Sequence, residues 1–326
     1  MFHSPQAANA VVMVRPHHFT VNAETAKDNS FQVAAPGTTD IASKAFEEIT
    51  TAAETLRNHG VTVHLFEDKG TETPDSVFPN NWFSTHAGGQ IAIYPMKANN
   101  RRLERRYDII EMLKSTYRVQ EVIDYSGLEQ DGLFLEGTGA MVLDHIDRVA
   151  YAVRSDRTDP VILERFATKF GFEPMVFDAF DANGVAVYHT NVLMCVGTDI
   201  AMIGTDLMPE VERCTEIATR LQRSGRTIIE LRHDQIEKFA GNALELQGSS
   251  GRILAMSTTA LASLDNDQRQ MIEGRVKIVA LDIPTIEMAG GSVRCTLASV
   301  HLSPRHVLTG IDSLKYFETS AAPQPQ

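Results

Sequence analysis

The sequence predicts an α/β protein built as a five-bladed, pseudo-symmetric αβ propeller, and three observations carry that expectation. Helix-like stretches recur, each followed by a strand-like run. The ends of those helices fall near positions 60, 115, 171, 225 and 274, a period of 49 to 56 residues. Hairpin-like pairs of apolar segments lie between them. A period near 50 with a strand pair and one helix per unit suits closed radial repetition with helices outside, rather than two independent domains.

In the first unit, Ile41, Ala45, Ile49, Ala52 and Leu56 follow helical spacing, Gly60 supplies the stop, and "VTVHLF" reads as a buried strand. The second helix, Leu103 to Tyr117, runs into "RVQEVIDY" without a glycine. In the third, Asp159 and Pro160 suit the cap and first position before Val161 to Phe170; Gly171 stops it and "EPMVFDAF" follows. The fourth runs from Pro209 to Ser224, with Gly225 before "RTIIEL"; the fifth, from Thr258 to Glu273, with Gly274 before "RVKIVALDI". "NWFSTHAGGQIAIYPM", "GAMVLDHIDRVAYAV", "NVLMCVGTDIAMIG" and "NALELQGSSGRILAMS" have the alternation and turn residues of hairpins. No linker interrupts residues 1–318, which read as one domain; residues 319–326 have the Ala, Pro and Gln content of a disordered tail.

The 326 residues are 43% hydrophobic and 22% charged, enough to bury a large core. A net charge of −12 disfavours a nucleic-acid partner and points to a small-molecule enzyme or a binding module. Met1 to Ala10 has no signal-peptide pattern and no window is apolar enough to span a membrane, so a cytoplasmic protein is expected, with a homo-oligomer left open. Cys195, Cys214 and Cys295 are widely spaced, indicating neither a disulfide framework nor a zinc site. His17 and His18 are adjacent, and strand neighbours face opposite ways, so no metal is expected there. "RRLERR", Arg101 to Arg106, reads as a solvated helix face.

Five polar residues stand at matching points, each just before a hairpin's first strand. Asn81, Glu136, His189, Asn242 and Cys295 are separated by 55, 53, 53 and 53 residues. In a closed ring, equivalent positions face one axis, which would gather a carboxylate, an imidazole, a thiol and two amides. A lone cysteine in an apolar strand reads as core. The register changes that reading, because thiol, imidazole and carboxylate are the parts of cysteine nucleophile catalysis. Cys195 and Cys214 lack the register and read as core. The glycines of "MAGGSV" read as clearance beside a substrate.

"FPNN", "EGTG", "YAVRSDRT", "HTN" and "GGSVRCTL" resemble motifs of the guanidino-group-modifying enzymes of the pentein fold, over about residues 11 to 302. The resemblance implies a five-bladed αβ propeller, with Cys295 as nucleophile, His189 as general acid/base and Glu136 as orienting and substrate-binding carboxylate. Arg157 would take the substrate's α-carboxylate; no cofactor and no metal are implied. The substrate-binding set is completed by Asn80, Asn81, Asn191, Asn242 and Arg294, the last facing either the site or solvent. "VRPHHFTVNAETAKDNSFQ", "VFPNNWFSTH", "VYHTNVLMCVG" and "FAGNALELQG" are similar to bacterial citrulline-utilisation hydrolases. That branch implies hydrolysis of L-citrulline to L-ornithine, CO2 and NH3.

The residues bear on the substrate independently. A guanidinium is a fixed cation best met by carboxylates, yet amides Asn81 and Asn191 stand where the superfamily has aspartates. A ureido group is neutral and can both donate to and accept from an amide. The expected mechanism has the Cys295 thiolate, favoured by a His189 cation, attack the ureido carbon. Deiminases acting on arginine or methylarginine, amidinotransferases and a non-catalytic amino-acid-binding propeller are the alternatives.

Overall fold

A computed structural model describes residues 5–27, 29–33 and 40–305; the expected tail at 319–326 lies outside them. Within the described residues the repeated grammar becomes five three-stranded sheets, an α/β arrangement consistent with five-fold pseudo-symmetry. β1 (Ala10–Pro16) and β2 (Thr62–Asp68) belong to the first sheet. The second holds β3 (Phe83–His86), β4 (Gln90–Ile93) and β5 (Glu121–Asp124). The third holds β6 (Met141–Asp144), β7 (Val149–Val153) and β8 (Glu173–Phe177). The fourth holds β9 (Met194–Val196), β10 (Ile200–Ile203) and β11 (Thr227–Glu230). The fifth holds β12 (Leu244–Gly248), β13 (Gly251–Ser257) and β14 (Lys277–Leu281). β15 (Ala298–Ser299) returns to the first sheet.

In every sheet the first strand is antiparallel to the second and the second is parallel to the third. A parallel pair needs a crossover, and the helical stretches of the sequence supply it. Ile41–Asn58 buries Ala45, Ile49, Ala52, Ala53 and Leu56, and the Asp40 side chain caps it by accepting from Ser43 N. Asp159 caps Pro160–Phe170 through Val161 N and Ile162 N, as its Asp-Pro start predicts. The first sheet takes its antiparallel strand from the far end of the chain, pairing Val11 with Ser299 and Val12 with Ala298.

Two helices differ from expectation. The fifth is broken into Thr258–Ser263 and Asn266–Glu273, because Ser257 and Asp265 each cap a separate start and Leu264 is extended between them. The second begins at Tyr107, after a separate turn at Asn99–Arg102. Gly274 is right-handed at φ −66°, so its helix ends without the left-handed glycine cap found at Gly171. Among the described residues no helix is long and apolar enough to cross a membrane.

Candidate active site

The five equivalent residues all land on the tight turn that precedes a sheet's first strand. Asn81 closes the turn Pro79–Asn81, while Glu136 and His189 cap the one-turn helices Gly137–Ala140 and Thr190–Leu193. Asn242 follows the turn at Phe239, whose carbonyl accepts from its backbone N–H. Cys295 lies on a 3-10 turn, Val293–Thr296, rather than at the start of a long strand; β15 begins three residues later and has only two. All five side chains are buried.

A cavity of about 10 Å³, room for one water, brings together Cys295, His189, Asn81 and Arg157 with Asp75 and Arg101. Glu136 is one bond behind. Its Oε2 lies 2.9 Å from His189 Nε2 and 3.4 Å from both Arg157 Nη1 and Arg101 Nη1. The thiol is held from the other side. Asn191 Nδ2 and Asn242 Nδ2 donate to Cys295 Sγ at 3.2 and 3.3 Å, and Asn242 Oδ1 accepts from Arg294 N.

Two of the residues expected around the substrate are placed elsewhere. Asn80 stands behind the cavity wall, its Nδ2 donating to Thr138 Oγ1 at 3.3 Å. Arg294 lines a different cavity altogether, because a 3-10 turn sends successive side chains to different sides. Asn242 touches the thiol and does not line the cavity. The paired glycines before Cys295 are crowded by protein: a Cβ on Gly290, at φ +79°, would meet Asn29 at 2.5 Å, and one on Gly291 would meet Phe78 at 2.8 Å.

"RRLERR" is the largest departure from the sequence reading. Arg101 is buried in the site, bonded to Glu104 through Nε and Nη2 at 2.9 and 3.0 Å and to Asn81 Oδ1 at 3.0 Å. Asp75 lies 3.6 Å from Arg101 Nε, and its Oδ1 is buried without a hydrogen bond. The Arg101/Glu104 spacing of three is the signal that could have marked an inward pair. Asp75, in "TPDSVF", reads as a turn residue and gave none. His17 bonds Glu67 at 2.7 Å and His18 is exposed, so the two do not share a site.

Burial alone would raise the Glu136 carboxyl, but Arg157, the His189 hydrogen bond and Arg101 hold it well below the usual carboxylate range. Burial pushes His189 down to about 4 in spite of Glu136. The expected imidazolium is therefore corrected: His189 is neutral near pH 7, with its Nε2–H donated to the ionised Glu136 and its Nδ1 lone pair left as a base. Burial raises Glu104 against the pull of Arg101.

Gly139 makes this packing possible. A Cβ there would stand 2.2 Å from Asn81 Nδ2 and 2.8 Å from His189 Nδ1. Gly139→Ala is expected to lower kcat by about 100-fold or more through displacement of the imidazole, with circular dichroism unchanged; kcat within twofold of wild type would contradict the geometry.

Burial also lowers His86, His145 and, to about 4, His301. These groups and His189 are neutral when folded, whereas the unfolded chain takes up protons below about pH 6.5. Stability is thus fully present above that pH and declines as pH falls towards 4, by up to about 1.4 kcal/mol per pH unit for each group. Urea midpoints measured from pH 7 to 4.5 should fall steeply; a flat profile would contradict four neutral histidines.

The chain matches, over residues 15–302, the family model described as "N,N dimethylarginine dimethylhydrolase, eukaryotic". No curated protein sequence matches it closely. Among solved structures it is similar to the product-bound N-terminal domain of ArgZ, an arginine dihydrolase from the Ornithine-Ammonia Cycle in Cyanobacteria. The TM-score is 0.70 and the identity 19%, covering 89% of this chain and 97% of that one. Unliganded AgrE gives a TM-score of 0.72 at 18% identity, with 91% of this chain covering 40% of AgrE. A dimethylarginine dimethylaminohydrolase adduct gives 0.60 at 14% identity, covering 90% and 99%.

Proposed function

The chain belongs to the N,N dimethylarginine dimethylhydrolase family, among the guanidino-modifying hydrolases of the pentein superfamily, and from that premise we propose that it is a citrulline hydrolase. In this reading the five sheets are blades of an αβ propeller, residues 1–318 form one catalytic unit, and Cys295, His189 and Glu136 perform the chemistry. L-Citrulline and water would give L-ornithine, CO2 and NH3.

Asn81 carries the choice of substrate. Its Oδ1 accepts from Arg101, and its Nδ2 is buried without a partner among the described residues, so it has only N–H to offer. A guanidinium also has only N–H donors and would meet Asn81 donor to donor, beside the Arg101 and Arg157 cations. A ureido carbonyl is the acceptor that site lacks.

In the proposed chemistry the cavity brings the imidazole and the thiol to one space. His189 Nδ1 takes the Cys295 proton, while Asn191 and Asn242 N–H groups stabilise the thiolate. Sulfur attacks the ureido carbon, and the oxygen gains charge next to amide and guanidinium donors. The carbon–Nδ bond breaks as His189 returns its proton to Nδ, releasing ornithine and leaving an S-carbamoyl thioester. Water, deprotonated by the same imidazole, displaces the sulfur, and the carbamic acid formed decomposes to CO2 and NH3. Arg157 also lines an outer cleft with Lys97 and Asn99, where the substrate's α-carboxylate would lie.

One observation favours a second reading. The uncommitted Asp75 Oδ1 is a carboxylate acceptor suited to a guanidinium, which makes arginine the alternative substrate. Incubation with citrulline and with arginine, resolved by mass spectrometry, decides between them. Ornithine formed from citrulline at the higher kcat/KM is the expected result; turnover of arginine alone would overturn it.

A further inference from the structure

A second cavity, of about 30 Å³ and sharing no lining residue with the one that holds Cys295, has room for two or three water-sized groups. Its polar wall includes Arg294, His145, His301 and Cys195, and no aspartate or glutamate lines it.

Four arginines are buried among the described residues. Arg101 and Arg157 are paired with Glu136, and Arg226 with Asp144 and Asp147. Arg294 differs. It is 7% exposed, and its guanidinium makes no ion pair or hydrogen bond among the described residues. The groups whose negative forms it feels are the Cys195 and Cys295 thiols. Burial pushes Cys195 up to about 12, so that thiol is no counter-charge. A guanidinium stays charged in a protein interior, and a buried charge is retained where something balances it.

His145 and His301 stack in the same cavity with ring centroids 4.0 Å apart. Both are neutral, so each keeps one N–H donor, and no ring nitrogen of either makes a hydrogen bond among the described residues. The two rings also line an outer cleft of about 450 Å³ together with Arg148, which gives a cationic approach from solvent.

We propose that this cavity binds a small inorganic monoanion of the halide class, held by the Arg294 guanidinium and the imidazole N–H groups of His145 and His301. The volume excludes larger anions such as phosphate monoesters, and among the described residues no three His, Cys, Asp or Glu side chains are grouped to hold a metal ion. The site stands apart from the hydrolytic reading and does not depend on it.

Crystals of the full chain soaked in sodium bromide test the site by anomalous scattering. A bromide peak against Arg294 at the edges of the two stacked imidazoles is expected; water alone in the cavity, with bromide only on the surface, overturns the proposal. In solution, replacing sodium gluconate by sodium bromide at equal ionic strength should raise Tm by roughly 2–5 °C. Arg294→Met should abolish that rise, and an equal rise in the variant counts against the site. Should the variant fail to fold, the anomalous map of the wild type still decides.

Discussion

Cys295→Ala is expected to lower ornithine release from citrulline by at least about 10⁴-fold, the cost of losing a covalent nucleophile, while Tm changes by no more than about 4 °C. The sulfur accepts two hydrogen bonds from Asn191 and Asn242 and is otherwise packed like any buried cysteine, so the fold has little stake in it. Cys295→Ser separates nucleophile from shape. A hydroxyl fits the same space and accepts the same two bonds, but it is far harder to ionise. Full turnover by either variant would remove the covalent step from the scheme, and a trapped S-carbamoyl adduct on the wild-type thiol, seen by mass spectrometry, would establish it.

Glu136→Gln should have the second largest effect, on two observables at once. The substitution keeps the shape but exchanges one acceptor oxygen for an NH2 donor and removes the charge that Arg101, Arg157 and His189 share through one oxygen. Two buried guanidiniums then lose a counter-charge, with an expected loss of about 3 kcal/mol in urea unfolding, the low end for breaking a buried pair. The amide can turn its NH2 rather than an oxygen to His189, so that Nε2 accepts, the ring proton moves to Nδ1 and the base is lost. A fall in kcat of about 10³–10⁴ follows by analogy with loss of the carboxylate in other catalytic triads. The pH profile gives the sign: Glu136 opposes the burial that lowers His189, so in the variant the acid limb moves to lower pH. A fall in kcat below tenfold with an unmoved limb would leave Glu136 a purely structural residue.

The fold and the principal site were legible in the sequence for one reason: repetition. Five helices end at a near-constant interval, and five polar residues recur at 53 to 55 residues; the structure places all five on equivalent turns before a first strand. What escaped was whatever the repeat does not contain. Arg101 lies in a separate one-turn helix, Asn99–Arg102, ahead of the second unit's helix, and a cluster of four arginines hides the one that turns inward. Asp75 lies in the connection between β2 and the Pro79–Asn81 turn, six residues before the position that recurs. Arg294 failed for a geometric reason, since alternation applies to strands and its segment is a 3-10 turn. The charge on His189 depended on burial, which periodicity does not measure.

The two-residue strand β15 has a consequence for biosynthesis. The first sheet's leading strand, β1, emerges first, yet it waits for Ala298 and Ser299 before its antiparallel edge is paired. Contacts of such long sequence separation form late, and the turn bearing Cys295 ends just before that seam. A nascent chain can therefore have Asn81, Glu136 and His189 in place while its sulfur is still adrift. On the proposed chemistry the thiol joins its partners as the closing event of folding, and thiol reactivity would time completion of the whole molecule.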